Sequence, residues 1–379
     1  MLSQELLSQL IKWRHQIHQH PETAFEEVTT SQFVAQKLKE AGLDVHQGLA
    51  KTGVVGTLKK GTSNRSIALR ADLDALDVIE ENQFSHCSHI HGKMHACGHD
   101  GHTVMLLGAA TYLAEHGQFD GTIYFIFQPA EENLAGGKDM IDDGLFDLFP
   151  ADAVYGMHNW PGLDVGQFAV MDTAMMASND VFEIKLSTKK SGHAAMPHKC
   201  QDTISAASQL ISQINQIVSR NVNAMETAVI SVTKISGGTT HNILPETTEI
   251  WGTVRAFSSD TQDLIEQRLR DQVKGIVQSF NLEYEFKYDR RYCATINHRE
   301  HAEKSRQAIL ATTQTQAVTL EPSMASEDFG FMLQAKPGCF AWIGNGNTEA
   351  LHNSKYDFND KSLPIGVQYW VNLAEQELS

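Results

Sequence analysis

The chain opens on MLSQELLSQLIKWRHQIHQH, where apolar residues recur at the three- and four-residue spacing of an amphipathic helix. A second helical pattern runs from about Thr29 to Ala41 and stops at Gly42, a good helix terminator. The pattern then changes. Apolar, β-branched runs read as strands: GVVGTL (53–58), SIALRAD (66–72), TIYFIFQ (122–128) and AVYGMHN (153–159). Between the second and third lies HTVMLLGAATYLAEHG (102–117), with the apolar content and glycine stop of a helix. Strands alternating with helices predict an α/β fold, a mostly parallel sheet with helices on both faces.

The middle of the chain follows another rhythm. VFEIKLST (181–188) reads as a strand and TISAASQLISQINQIVSR (203–220) as a helix. TAVISVTKISGG and TTEIWGTVRAF read as two strands, TQDLIEQRLRDQVKGIVQSF (261–280) as an amphipathic helix, and LEYEFKY (282–288) as a closing strand. The order β-α-β-β-α-β is a split-βαβ (ferredoxin-like) unit, compact in itself. The α/β pattern resumes near 298 with a helix, the strand CFAWIG (339–344) and a final helix. The expected organisation is a main domain over 1–178 and 289–379, interrupted by an inserted domain at 179–288. A length of 379 residues agrees with two cores.

Composition narrows the class. Hydrophobic residues make up 41% and charged residues 20%, as in soluble globular proteins. The formal net charge of −16 repels phosphate backbones and anionic lipid, which speaks against nucleic acid and membranes as partners. No apolar run reaches membrane-span length. The N-terminal helix lacks the apolar core and small-residue cleavage site of a signal peptide. Five scattered cysteines (Cys87, Cys97, Cys200, Cys293, Cys339) form no disulfide framework and fit a reducing cytoplasm.

Reactive residues gather at the predicted strand ends. Asp72 ends one strand, with Asp74 just beyond; Gln128-Pro129-Ala130-Glu131-Glu132 follows the next; His158 lies at the end of a third; His352 follows 339–344 after a Gly/Asn-rich loop. In open α/β sheets ligands bind outside these carboxyl ends. MHACGHDGHT (94–103) sits in the loop entering a helix. Gly98 lets the backbone turn so that Cys97 and His99 face one point, and thiolate and imidazole are transition-metal donors. Asp100 and His102 are then placed to fix imidazole orientation. Taken singly, Cys97 reads as a small buried residue, His158 as a core histidine and Glu131-Glu132 as a solvated acidic turn. The segment has no C-x-x-C for redox work, no C-x-x-C-H for haem, and no second nearby thiol for a structural zinc.

With these motifs in view, the sequence resembles the amidohydrolase branch of the aminoacylase/carboxypeptidase metallopeptidase superfamily, which includes hippurate hydrolases, N-acyl-amino-acid amidohydrolases and auxin-conjugate hydrolases. The likeness rests on RHQIHQHPE (14–22), LRADLDAL (69–76), MHACGHDGHT (94–103), FQPAEE (127–132), GMHNWP (156–161), SGHAAMPH (191–198), NILPE (242–246), SEDF (326–329) and LHN (351–353), in the family's order over almost the whole chain. It implies two divalent metal ions per subunit, zinc or manganese. Cys97 would bridge them, and His99, Glu132, His158 and His352 would complete the ligand set, with Asp72, Asp100 and His102 behind. Elsewhere in the superfamily a His-x-Asp supplies a ligand and an aspartate bridges the metals; here Arg70 takes the first position and Cys97 the bridge.

The resemblance makes Glu131 the general base, taking a proton from a metal-acidified water and passing it to the leaving amine. An extended turn, in which adjacent side chains diverge, would let Glu131 and Glu132 serve different roles. His193 would stabilise the oxyanion, reaching the site from a partner subunit. Arg255 and Asn242 lie in the same inserted lid and dimerisation domain, and an arginine fork there would grip a free α-carboxylate. The expected protein is a cytoplasmic amidohydrolase cleaving N-acyl-L-amino acids (acetyl, benzoyl or similar) to a carboxylate and an amino acid, as a homodimer or a tetramer of dimers. Alternatives are a dipeptidase or carboxypeptidase of the same superfamily, a cysteine-nucleophile amidase using Cys97, and a non-enzymatic metal-binding or interaction protein. The last leaves Glu131 without a purpose.

Overall fold

A computed structural model describes residues 2–379. The chain forms two compact units, one from Met1–Met175, Ile296–Glu321 and Asp328–Ser379, the other from Met176–Thr295 and Pro322–Glu327.

The first unit is built on a seven-stranded sheet in the order Asp44–Leu49, Gly53–Lys60, Gly121–Gln128, Ser66–Asp72, Ala153–Pro161, Gly338–Gly346, Phe168–Ala169. Its four central strands run parallel, while the strands on either flank pair antiparallel. The central strands carry the unbroken apolar runs because both faces are covered. Adjacent residues show this: Tyr155 bonds His301 of the helix Arg299–Thr313, while Gly156 lies against Phe329 of the helix Phe329–Ala335. The helix His99–His116 is apolar on nearly every side and packs against the helices Gln4–Gln19, Val28–Glu40 and Leu363–Glu377. An all-round apolar helix is a core helix. The parallel strands bring the carboxyl ends of Ser66–Asp72, Gly121–Gln128 and Ala153–Pro161 to one edge, with Asp72 registered opposite Gln128.

The second unit is a four-stranded antiparallel sheet in the order Ala228–Gly237, Thr247–Ala256, Asn179–Ser187, Glu283–Tyr292. The helices Thr203–Ile214, Ile217–Asn221 and Ser259–Phe280 pack on it. Phe182, Ile184 and Leu186 alternate inward along one strand and meet Leu210, Leu269 and Val273 from the helices. A short ribbon, Gly192–His193 against Ile243–Leu244, stands apart from this sheet.

Candidate metal centre

The site begins with one glycine. Gly98 has φ +92°, and a Cβ there would come within 2.3 Å of Asn159 Nδ2 and 2.5 Å of Tyr356 Oη. Only glycine meets both demands. The sharp turn sets Cys97 and His99 on either side of one point at the start of the buried helix. Asn159 locks it: its Nδ2 donates to the Cys97 carbonyl at 2.6 Å, and its Oδ1 accepts the Tyr356 hydroxyl at 2.7 Å.

Around Cys97 the donors converge in two groupings, Cys97, His99 and His158 in one and Cys97, Glu132 and His352 in the other, with the ligand atoms of each within 4.8 Å of one another. Glu131 joins His99 and Glu132 in a third. The Cys97 thiol is common to the first two, as a bridging donor must be. Cys97 Sγ lies 3.3 Å from His158 Nε2, and His352 Nε2 lies 3.4 Å from Glu132 Oε1. The main chain of His352 is tied in by its N–H to the Ala96 carbonyl at 2.8 Å.

The imidazoles are oriented from behind. His99 Nδ1 donates to the Asp74 carbonyl at 2.9 Å, and His158 Nδ1 to the Asn159 carbonyl at 2.7 Å. Each bond leaves the Nε2 lone pair for the cluster. His102 is different. Its Nδ1 donates to Asp72 at 2.7 Å, and its Nε2 accepts the Asn159 N–H at 2.9 Å, so both nitrogens are committed and it supports the cluster without joining it.

Two expectations need correction. Asp100 does not steady a histidine of the cluster: its carboxylate turns to His18 Nδ1 at 2.8 Å, with Arg14 at 3.6 Å, because the helix rotates it away from His99. Glu131 and Glu132 do not lie in an extended turn. They open the one-turn helix Glu131–Leu134, after Ala130 at φ +55°, and helical rotation about the axis separates their side chains.

Arg70 fills its place as a fully buried cation. Its guanidinium bonds Asp72 at 2.7 Å, Gln128 at 2.7 Å and Asp328 at 2.9 Å. Burial would raise the Asp72 carboxyl, but His99, His102 and Arg70 beside it hold it well below the usual carboxylate range. Asn159, Tyr356 and Asp328 were not among the expected site residues, and Asp74 was expected at the strand end but without a role. Asn159 and Asp328 do fall within motifs, GMHNWP and SEDF, but neither motif says which residue a side chain will hold.

His193, Asn242 and Arg255 lie in the second unit. The ribbon sets exposed His193 beside Asn242, whose carbonyl accepts the Ala194 N–H at 2.9 Å. Arg255 is half-buried and donates to Ser326 Oγ at 2.9 Å.

The donor set fits divalent cations on two grounds. His99 Nε2 and Glu132 Oε1 are buried 3.9 Å apart with no hydrogen bond among the described residues, and the glutamate oxygen faces only the ion-pair contact of His352 Nε2 at 3.4 Å, an arrangement a cation between these atoms would complete. The centre also carries excess negative charge. Burial and the carboxylates of Glu132, Glu131 and Asp72 push the Cys97 thiol well up. Burial opposes charge on His99, yet Asp72, Asp74 and Glu132 outweigh it and raise its imidazole to about 10. A cation reverses both effects.

Known proteins of this shape bear on the same point. The family described as Peptidase family M20/M25/M40 matches residues 68–376. The hippurate hydrolase of Campylobacter jejuni is 42% identical over 372 residues, covering 98% of this chain and 97% of that protein. The N-acetylcysteine deacetylase of Bacillus subtilis is 36% identical, covering 97% and 96%. A crystal structure of the Bacillus subtilis YXEP protein, described as a dinuclear metal binding peptidase from the M20 family, superposes with a TM-score of 0.88 at 33% identity, covering 99% of both chains. No helix among the described residues is long and apolar enough to cross a membrane. The chain belongs to the M20/M25/M40 peptidase family, in its amidohydrolase branch.

Proposed function

We propose that the protein hydrolyses N-acyl-L-amino acids to a carboxylate and a free amino acid, using two divalent cations that Cys97, His99, Glu132, His158 and His352 would hold. The observation that carries this reading is the convergence of buried His99 Nε2 and Glu132 Oε1, neither with a hydrogen bond among the described residues, on a buried thiol and on His352 Nε2, 3.4 Å from the glutamate oxygen. Bound zinc or manganese supplies Lewis acidity to the water and to the amide carbonyl. Glu131, buried next to that set, takes the proton of the attacking water and delivers it to the leaving amine. Asp74 and the Asn159 carbonyl keep the lone pairs of His99 and His158 directed inward.

The remaining roles fall to the second unit, whose inserted segment 179–288 serves as lid and dimerisation domain. His193, exposed on its ribbon, stabilises the oxyanion in the active site of the partner subunit of a homodimer. Arg255 spends one of its five donors on Ser326, and the others suit the α-carboxylate of the substrate, with Asn242 alongside. A cysteine-nucleophile mechanism is poorly supported: an attacking thiol needs a lowered pKa, and the surroundings of Cys97 push it the other way.

The test is a panel of N-acetyl, N-benzoyl and indole-acetyl amino acids alongside unblocked dipeptides, scored for amine release with manganese, with zinc and after chelation. Acylated substrates should turn over only with metal. Faster turnover of dipeptides would move the reading to a peptidase, and full activity after chelation would overturn it.

A further inference from the structure

We propose that Glu27 is a positioning residue for Glu131, acting through the peptide N–H of Ala130. This rests on the reading of Glu131 as the proton carrier. Glu27 belongs to the N-terminal segment, 103 residues from the turn it holds, and is fully buried. Its Oε1 accepts the Ala130 N–H at 2.9 Å, and its Oε2 accepts the Thr52 hydroxyl at 2.8 Å.

Ala130 is where the strand Gly121–Gln128 gives way to the helix beginning at Glu131, and its φ of +55° is one that L side chains rarely adopt. The turn is fixed from several directions. The Gly136 N–H donates to the Ala130 carbonyl at 3.1 Å, and Gly136 approaches the Pro129 carbonyl so closely that a Cβ would sit 1.9 Å from it. On the far side of Glu131, the Glu132 N–H donates to Asp74 Oδ2 at 3.0 Å. The peptide N–H groups flanking Glu131 are thus each gripped by a buried carboxylate from a different part of the chain. The Asp74 carboxylate also lies 3.3 Å from His99 Nδ1, whereas Glu27 has no imidazole or cation beside it among the described residues.

No cation pairs with Glu27 among the described residues, and burial together with Asp74 raises its carboxyl to about 7. Burying an unpaired carboxyl is unfavourable, and Glu27 accepts from the Thr52 hydroxyl, from its own N–H and from the Ala130 N–H that sets the direction of Glu131. The placement is accounted for by geometry at that turn. A misplacement of about 1 Å in a reacting group can cost on the order of 10²-fold in rate.

The experiment uses metal-loaded enzyme with metal content measured for each variant. Glu27→Ala should lower kcat for an N-acyl amino acid by about 10- to 100-fold, with KM and metal stoichiometry unchanged. Glu27→Gln, which can still accept from Ala130 and can donate to Thr52, should restore kcat to within about 3-fold of wild type. Glu27→Asp, one methylene short, should resemble the alanine variant and replaces it if that variant does not fold. In a Glu131→Gln background the loss of Glu27 should cost little more, since both act through one carboxylate. Wild-type kcat in Glu27→Ala, no rescue by glutamine, or a full additional loss in the Glu131→Gln background would each overturn the assignment. Wild-type enzyme that releases no amine from any acylated substrate would bring down the hydrolase reading and this one with it; active wild type with an equally active Glu27→Ala brings down only this one.

Discussion

His18 offers the sharpest test of the buried charge beside the Cys97 turn. Its Nδ1 lies 2.8 Å from Asp100 and its Nε2 3.3 Å from Glu80, with Arg14 packed against the same aspartate and the rings of His86 and His95 alongside. Burial and Arg14 oppose charge on this imidazole, yet Asp100 and Glu80 prevail and raise it to about 9. A folded-state pKa above the unfolded value contributes stability that is complete below the unfolded pKa and is lost as pH rises through the folded one. With an unfolded value of about 6.5, the shift is worth about 3 kcal/mol at pH 6 and about 2 kcal/mol at pH 7.5, and is nearly gone at pH 9.5. His18→Gln carries no titrating proton and should lack this slope. The assay is denaturant unfolding of both proteins, metal-saturated, at constant ionic strength from pH 6 to pH 9.5. The gap between them should narrow by about 3 kcal/mol over that range, on top of any pH-independent offset from the altered Asp100 contact. A gap that stays constant with pH means that His18 gains no proton affinity on folding, and the reasoning fails.

Glu131→Gln should keep both cations and lose turnover by about 10²- to 10⁴-fold, whereas Glu132→Gln and Cys97→Ala should lose metal together with activity, as elemental analysis beside kinetics will show. Full metal occupancy in an inactive Cys97→Ala protein would return the thiol to the role of nucleophile. For His193, co-expressed Glu131→Ala and His193→Ala subunits, purified through two tags as the mixed dimer, should regain about half of wild-type activity, since one of two sites is then complete. An inactive but metallated mixed dimer would show that each subunit uses its own His193.

Much of the first unit was legible because its central strands are buried on both faces and so read as uninterrupted apolar runs. SIALRAD matches the observed strand Ser66–Asp72 residue for residue. The flanking strand Asp44–Leu49 was not legible: DVHQGL is mostly exposed, and neither apolar alternation nor a β-branched run marks it. In the site, the clustering of Cys97, His99, Glu132, His158 and His352 could be expected from strand-end placement and motif together. The partners that aim them could not. Asp74 meets His99 across 25 positions and Asp100 meets His18 across 82, and such pairings are decided by how helices rotate against the sheet, which leaves no periodic trace. Asp100 is the instructive case. Adjacency to His99 suggested a shared task, but consecutive residues on a helix point about 100° apart.

The helix that begins at His99 is enclosed by apolar neighbours almost throughout, so the scaffold beneath the centre is completed by the core and owes little to the centre itself. Capacity to react and capacity to fold are therefore borne by different sets of side chains. On the roles proposed for them, substitution of Cys97, Glu131 or His352 should disarm the protein while leaving the apolar core that keeps it compact. Descendants that lose the chemistry can persist as intact, well-folded chains, available for recruitment to purposes in which the shape alone matters.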